Sequence, residues 1–231
     1  MNSFLSGILI LFTVFRNHVH AHGYMSSPPS RSYIWHDQKF KALDPHVNYN
    51  YMGLNCGGLA TQMANGGKCG VCGDNINGPR ENESGPEGKY AQGIISKCYA
   101  SNNVIDVEVH LTSNHLGWME WRLCELNDPE KTSNQDCFDD NLLEIVGISG
   151  DNWYRDGTSR LKIDPSKQKS NDNFYVSLFI PNDVKCQACV LQWIYKAGNN
   201  WGCDNIDGVK ACGIGHGDNQ EEFRNCADIA I

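Results

Sequence analysis

The amino-acid sequence predicts a single all-β domain, an antiparallel β-sandwich with a loop-rich first third and several disulfides. Three observations predict this fold. Apolar residues alternate with polar ones along residues 104–112, as in a strand that buries one face. Three further short runs are rich in β-branched and aromatic residues, and helical periodicity is scarce. The chain also has 11 cysteines among 231 residues, which indicates disulfide staples.

The N-terminal segment indicates that the protein is secreted. Residues 4–15 form an apolar run that is too short to cross a bilayer. Val19 and Ala21 supply the small residues that a signal peptidase reads. We therefore expect residues 1–21 to be removed as a signal peptide. The remaining extracellular domain, residues 22–231, then begins with His22.

The overall charge makes two classes of partner unfavourable. The formal net charge is -8, which argues against a protein whose main partner is nucleic acid or an anionic membrane surface. We expect a soluble monomer that binds neither.

The elements follow one another without a linker or an internal repeat. Residues 22–100 are rich in turn-forming residues, most clearly along residues 65–86, so loops are expected there. Asn82 begins the only glycosylation sequon, for which a surface loop is expected. Short helices are indicated near residues 57–64 and 137–145. Strands are predicted at residues 104–112, 118–126, 174–180 and 189–195.

The cysteines favour disulfides over a zinc site. Cys69 and Cys72, like Cys186 and Cys189, have the CxxC spacing of metal ligands. The two pairs lie far apart in the chain, among many other cysteines and behind a signal peptide, so disulfides are the better interpretation. An odd count leaves one thiol over in a monomer. Cys98 is expected to be that thiol, as a small buried side chain beside the start of a strand.

A histidine at the mature N-terminus offers two metal ligands on one residue. Its α-amine, a group with an ordinary pKa of about 8, and its Nδ1 can chelate one ion near neutral pH. One further imidazole would complete a set of three nitrogens, which suits copper(II). His115 lies in a loop between two predicted strands, where a sandwich displays functional side chains. The other candidates are His36, His46, His110 and His216.

Six motifs, in this order along the chain, resemble the arthropod-type lytic polysaccharide monooxygenases: HGYMSSPPSR, LNCGG, KCGVCGD, HLGWMEWRLC, CVLQWIYKAGNNWG and QEEFRNCADI. This is auxiliary activity family fifteen, which is related to the chitin-binding type-4 domains. The motifs cover essentially the whole mature chain. The odd cysteine, Cys98, and the segment ACGIGHGDNQ depart from the family pattern, and the second departure leaves the loop around His216 open.

The resemblance implies an immunoglobulin-like β-sandwich with one copper ion on a flat face. It implies that copper is bound by a histidine brace, formed by the amine and Nδ1 of His22 and a ring nitrogen of His115. It places Phe223 on the axial side of the metal, where a tyrosine would instead offer an oxygen ligand. Gln220 and Glu221 are implied as polar neighbours of bound oxygen, although both would also be ordinary as solvated side chains.

The implied activity is oxidative cleavage of a crystalline β-1,4-linked polysaccharide, with chitin favoured over cellulose. It requires an external electron donor and either dioxygen or hydrogen peroxide. Tyr24 is a candidate for contact with the insoluble polysaccharide, and packing beside the N-terminus is the equal alternative. Two other classes stay open. A non-catalytic chitin-binding module would bind without copper, and a copper carrier would bind the metal without releasing oxidised sugars.

Overall fold

The computed structural model describes residues 21–99, 104–128 and 131–231. Apart from Ala21, the expected signal peptide lies outside the described residues. Within these ranges the chain forms two short α-helices, α1 at Leu59–Ala64 and α2 at Gln135–Asp139, and two 3-10 helices at Ile34–His36 and Gln38–Leu43. The strands are β1 His22–Ser27, β2 Lys97–Cys98, β3 Val104–Ser113, β4 Trp118–Glu125, β5 Glu144–Ser149, β6 Trp153–Asp156, β7 Arg160–Ile163, β8 Asp172–Phe179, β9 Cys189–Lys196, β10 Trp201–Ile206, β11 Val209–Ile214 and β12 Glu222–Ala230.

Two sheets form the body of the protein. One has the strand order β1-β3-β8-β5, and the other has the order β2-β12-β9-β4-β7-β6. All their pairings are antiparallel except β2 with β12. Strands β10 and β11 make a separate hairpin. One core cluster contains buried residues of both sheets, from Val107 and Phe174 on one side to Trp121 and Trp193 on the other. The expected immunoglobulin-like sandwich is confirmed.

The four strands predicted from the sequence are confirmed as β3, β4, β8 and β9, and the helix near 57–64 is confirmed as α1. The prediction of a helix near residues 137–145 is wrong for its second half, because α2 ends at Asp139 and β5 begins at Glu144. Leu143 donates its backbone N–H to the carbonyl of Trp121, and Ile145 lies buried in β5. Pairing with neighbouring backbone therefore outweighs the local helical pattern there.

Ten cysteines form five disulfides, as expected: Cys56–Cys69, Cys72–Cys226, Cys124–Cys137, Cys186–Cys189 and Cys203–Cys212. Only one of the two CxxC pairs is joined internally. Cys98 is the free cysteine, as predicted, but the expectation that it is buried is wrong, since its side chain is exposed. Strand β2 has only two residues and lies at the edge of its sheet, where it has a neighbouring strand on one side only.

The loops of the first third are attached to β12 by a buried polar network, which overturns the expected exposure of the sequon. Asn82 is 3% exposed, and its side-chain amide donates to Asp74 at 2.7 Å. Arg31 donates to the Asn82 carbonyl at 2.9 Å and forms an ion pair with Asp228. A buried polar loop needs such partners for each group. The amide that would carry a glycan is therefore committed to the fold.

No helix in the described ranges is both long enough and apolar enough to cross a membrane.

Candidate metal centre

His22 stands at the start of β1, at one end of the sandwich. Strand β1 pairs with β3, and His22 lies opposite Ser113 in this pairing. The next residue, Gly23, faces the core, where an added Cβ would approach Leu111 to 2.5 Å and Trp193 to 3.1 Å. The glycine therefore allows β1 to lie close against the core, while His22 stays half-buried at the surface.

His115 lies in the tight turn between β3 and β4. The Oγ of Ser113 is 3.1 Å from the Nε2 of His115. Because Ser113 is also the β-pairing partner of His22, the two histidines are brought to the same corner of the sheet. The sequence predicted both residues as candidate ligands, but only the pairing of β1 with β3 explains why residues 93 positions apart both lie beside Ser113.

Phe223 packs beneath the ring of His22. The two ring centroids are 6.3 Å apart, with a 49° angle between the ring planes. Phe223 is 1% exposed and stacks on Tyr195 at 5.9 Å. The phenylalanine is thus a packed core residue as well as a neighbour of the N-terminal histidine, and its apolar ring provides no donor atom on this side.

Glu221 and Gln220, both buried, differ in what their side chains do. Glu221 accepts a hydrogen bond from Asn199 at 3.1 Å, and the same oxygen, Oε2, lies 3.5 Å from the backbone nitrogen of Ala21. Its carboxylate therefore lies beside the backbone that leads into His22. The side-chain oxygen of Gln220 accepts from the backbone N–H of Asn200 at 2.9 Å. Its side-chain nitrogen donates to the carbonyls of Asn200 at 2.9 Å and of His216 at 2.8 Å. Gln220 thus holds the base of the β10–β11 hairpin in place.

Tyr24 projects from the same face of β1 as His22, but its ring is occupied. It stacks on Tyr33 with a centroid distance of 4.4 Å and on His110 at 5.3 Å. Tyr51 meets it edge-on at 5.1 Å. Burial and the neighbouring phenol of Tyr33 raise the pKa of Tyr24. These contacts support packing beside the N-terminus over an open sugar-stacking surface.

The other candidate histidines make contacts elsewhere. His110 stacks on Tyr24, and His36 packs against Trp35 at 3.8 Å. His46 contacts the Lys89 carbonyl through Nδ1 at 2.7 Å, and His216 contacts Asp204 at 2.8 Å. The one cluster of three potential metal-binding side chains found among the described residues is Cys56, Cys69 and Glu222. Its two sulfurs are joined in a disulfide, so they are not thiolate ligands.

The donors at the His22 corner fit a copper ion. Two imidazoles and one primary amine would supply three nitrogens, a set that copper(II) prefers. Ala21 is fully buried beside Glu221, so the cleavage expected from the sequence would open space next to the nitrogen of His22. A β-sandwich with this corner has the form of a mononuclear copper protein.

Comparison with known proteins makes the class specific. A family model described as lytic polysaccharide mono-oxygenase, cellulose-degrading, matches residues 22–229. A lytic polysaccharide monooxygenase, AA15 from Thermobia domestica in the Cu(I) state, is 41% identical with a TM-score of 0.75, over 91% of this chain and 98% of that chain. The cellulose-active enzyme CelS2, in complex with copper, is 17% identical with a TM-score of 0.48, over 90% of this chain and 98% of that chain. This second likeness is too distant to carry an argument. No curated protein matches the chain at a significant level.

The chain belongs to the lytic polysaccharide monooxygenases. It is a copper-dependent enzyme that cleaves polysaccharide oxidatively. Of the residues that surround the corner, sequence reasoning missed Tyr195 and Asn199. Both lie in the motif CVLQWIYKAGNNWG. For Tyr195 a signal was available, because a tyrosine within an otherwise apolar strand usually has a hydrogen-bond partner for its buried hydroxyl.

Proposed function

We propose that the protein is secreted as a monomer after removal of residues 1–21, and that the new amine and Nδ1 of His22 bind one copper together with a ring nitrogen of His115. The observation that carries this proposal is the position of Ser113. It pairs with His22 across the strands and contacts the His115 ring at 3.1 Å. Copper, once bound, supplies the one-electron chemistry that oxygen activation requires.

The protein's own residues orient and shield this corner. Phe223 fills the space beneath His22 with an apolar ring, so this side chain would offer a bound copper no oxygen ligand. The Oε2 of Glu221, held by Asn199, is placed to accept a proton or a hydrogen bond next to the new amine. Gln220 would act indirectly on a bound copper, because its side-chain amide is engaged with Asn200 and the His216 carbonyl at the base of the β10–β11 hairpin.

The substrate we propose is crystalline β-1,4-linked polysaccharide, chitin first and cellulose second. Chitin is favoured by the resemblance to arthropod-type enzymes and to chitin-binding type-4 domains. Cellulose is the second candidate because the matching family model is described as cellulose-degrading. An external electron donor completes the reaction.

The decisive experiment compares the processed wild type with His115→Ala. Each copper-loaded protein is incubated with chitin or cellulose and an external reductant, and soluble products are analysed by mass spectrometry. His46→Ala is the matched control, because His46 is exposed and its ring nitrogen Nδ1 contacts the backbone carbonyl of Lys89. We expect oxidised oligosaccharides from wild type and His46→Ala and none from His115→Ala, because two nitrogens of one chelate no longer fix the copper geometry.

Other outcomes identify the alternatives. If all proteins bind chitin and none releases oxidised ends, the protein is a binding module. Tight copper binding without oxidised products from either polysaccharide identifies a copper carrier. Wild-type product release by His115→Ala removes His115 from the site, and His110 and His216 then become the candidates.

A further inference from the structure

The turn that carries His115 has an unusual backbone. Leu116 has a φ of 60° and Gly117 a φ of 87°, both in the left-handed region. An added Cβ on Gly117 would collide with the Lys196 carbonyl oxygen, so the turn lies directly against the end of β9. A leucine in this conformation persists only when surrounding contacts hold it there.

Several hydrogen bonds from the turn and its surroundings hold this conformation in place. Asn114 donates to the Ser170 carbonyl at 2.9 Å, and the Gly117 carbonyl accepts from Ile163 at 3.0 Å. The His115 carbonyl accepts from Gly198 at 2.8 Å. Within the turn, the backbone N–H of Leu116 donates to the side-chain oxygen of Asn114 at 2.9 Å. From outside the turn, the side-chain amide of Gln168 donates to the Asn114 carbonyl at 2.5 Å.

Two central groups of the turn depend on one side chain from another strand. The backbone N–H of His115 donates to the hydroxyl oxygen of Tyr195 at 3.1 Å. The same hydroxyl donates to the carbonyl of Leu116 at 2.8 Å. A phenol hydroxyl can donate one hydrogen bond while its oxygen accepts another, so this single group serves both partners.

We propose that Tyr195 is a positioning residue for the copper site, which sets where the His115 ring stands relative to His22. Its hydroxyl fixes the backbone of His115, and Ser113 contacts the far end of the ring at 3.1 Å. A histidine that is held at its backbone N–H and at the Nε2 of its ring has little freedom to rotate its side chain. This inference rests on the proposed role of His115 as a ligand.

The tyrosine also reaches the other half of the site. Its ring stacks on Phe223 with an interplanar angle of 29°, and Phe223 lies beneath His22. One side chain thus contacts the turn of the second histidine and the support of the first. The distance between the two ligands is thereby tied to the core of the sandwich, where Tyr195 is fully buried.

The test uses Tyr195→Phe, which keeps the ring and its stacking and removes only the hydroxyl. Tyr99→Phe is the matched control, since the Tyr99 hydroxyl also donates to a backbone carbonyl, that of Asp106, at 3.1 Å in the other sheet. Each processed protein is measured in two states. In the metal-free state, hydrogen exchange of the His115 amide is followed. In the copper(II) state, the electron paramagnetic resonance spectrum and the copper affinity are measured.

For Tyr195→Phe we expect faster exchange at the His115 amide, an altered copper(II) spectrum and an affinity about 10- to 100-fold weaker, the usual effect of losing a partner of a metal ligand. Tyr99→Phe should leave all three as in the wild type. A Tyr195→Phe protein that melts earlier but keeps the wild-type spectrum and affinity overturns the proposal, because the hydroxyl then only supports the fold. Unchanged His115 exchange overturns it as well.

The two proposals fail in different ways. If wild type itself binds no copper, the proposed function is wrong, while the metal-free exchange still reports whether Tyr195 holds the turn. Asn114→Ala provides a second variant should Tyr195→Phe not fold. It removes the bond to Leu116 from within the turn, and the proposal requires it to change the copper(II) spectrum in the same manner.

Discussion

Retention of a single residue before His22 should separate metal binding from folding. In a chain that begins at Ala21, the nitrogen of His22 is an amide. Its lone pair is delocalised into the carbonyl, so it is a poor ligand near neutral pH. Loss of a partner outside the ligand set costs about 10- to 100-fold in metal affinity. Loss of a direct ligand should therefore exceed about 100-fold, or about 2.7 kcal/mol.

In the absence of metal, the retained Ala21 should not lower the stability of the fold. Ala21 is 0% exposed and belongs to the main core cluster. Burying its methyl group contributes about 0.8 kcal/mol. The metal-free chain that begins at Ala21 should therefore melt no lower than the chain that begins at His22, and up to about 3 °C higher.

The assay is titration calorimetry with copper(II), alongside thermal unfolding of both metal-free forms. His46→Ala in the processed chain controls for loss of an exposed imidazole. Equal copper affinity in the two forms would refute the brace, since the amine would then not be a ligand. A metal-free form that begins at Ala21 and melts much lower would refute the account of Ala21 as a core residue.

Three further predictions concern the thiol, a disulfide and a buried carboxylate elsewhere in the fold. Cys98, the exposed free thiol, should be the single cysteine that an alkylating reagent modifies in the native protein, as peptide mapping will show. Replacing Cys72 and Cys226 together should lower the free energy of unfolding by about 5 kcal/mol, against about 3 kcal/mol for either disulfide with a separation of 13, because their separation is 154; equal losses in denaturant titrations would contradict this. Burial raises the pKa of Asp74 from 3.8 to about 6, so its stabilising contribution is complete below pH 3.8 and lost as the pH rises past about 6. Relative to Asp74→Asn, the wild type should lose up to about 3 kcal/mol across this window, measured by unfolding at each pH.

Local pattern alone predicted a substantial part of this protein. Strand β3 is evident because its alternation involves residues two apart, and a buried face imposes that period wherever the strand lies. The odd number of cysteines likewise predicts one free thiol, because this conclusion needs only the count and not the distances between the cysteines in the fold. His22 stands out by its position after an expected cleavage site. Each of these signals is complete within a few residues or within the composition.

Tertiary structure alone decided the partners. Strand β12 has a polar-looking sequence, yet Arg224 and Asn225 are buried within a sheet. Their partners come from elements far away in the chain, since Asn225 accepts from the backbone of Met25 in β1 and Arg224 donates to Gln135 in α2. The ring of Tyr24 is covered by Tyr33 and His110, although its position on β1 beside His22 is compatible with an open surface. The hydroxyl of Tyr195 meets the His115 backbone 80 residues away. Such contacts depend on strand register and on how the two sheets pack, and neither is encoded within the few residues over which a local pattern is read.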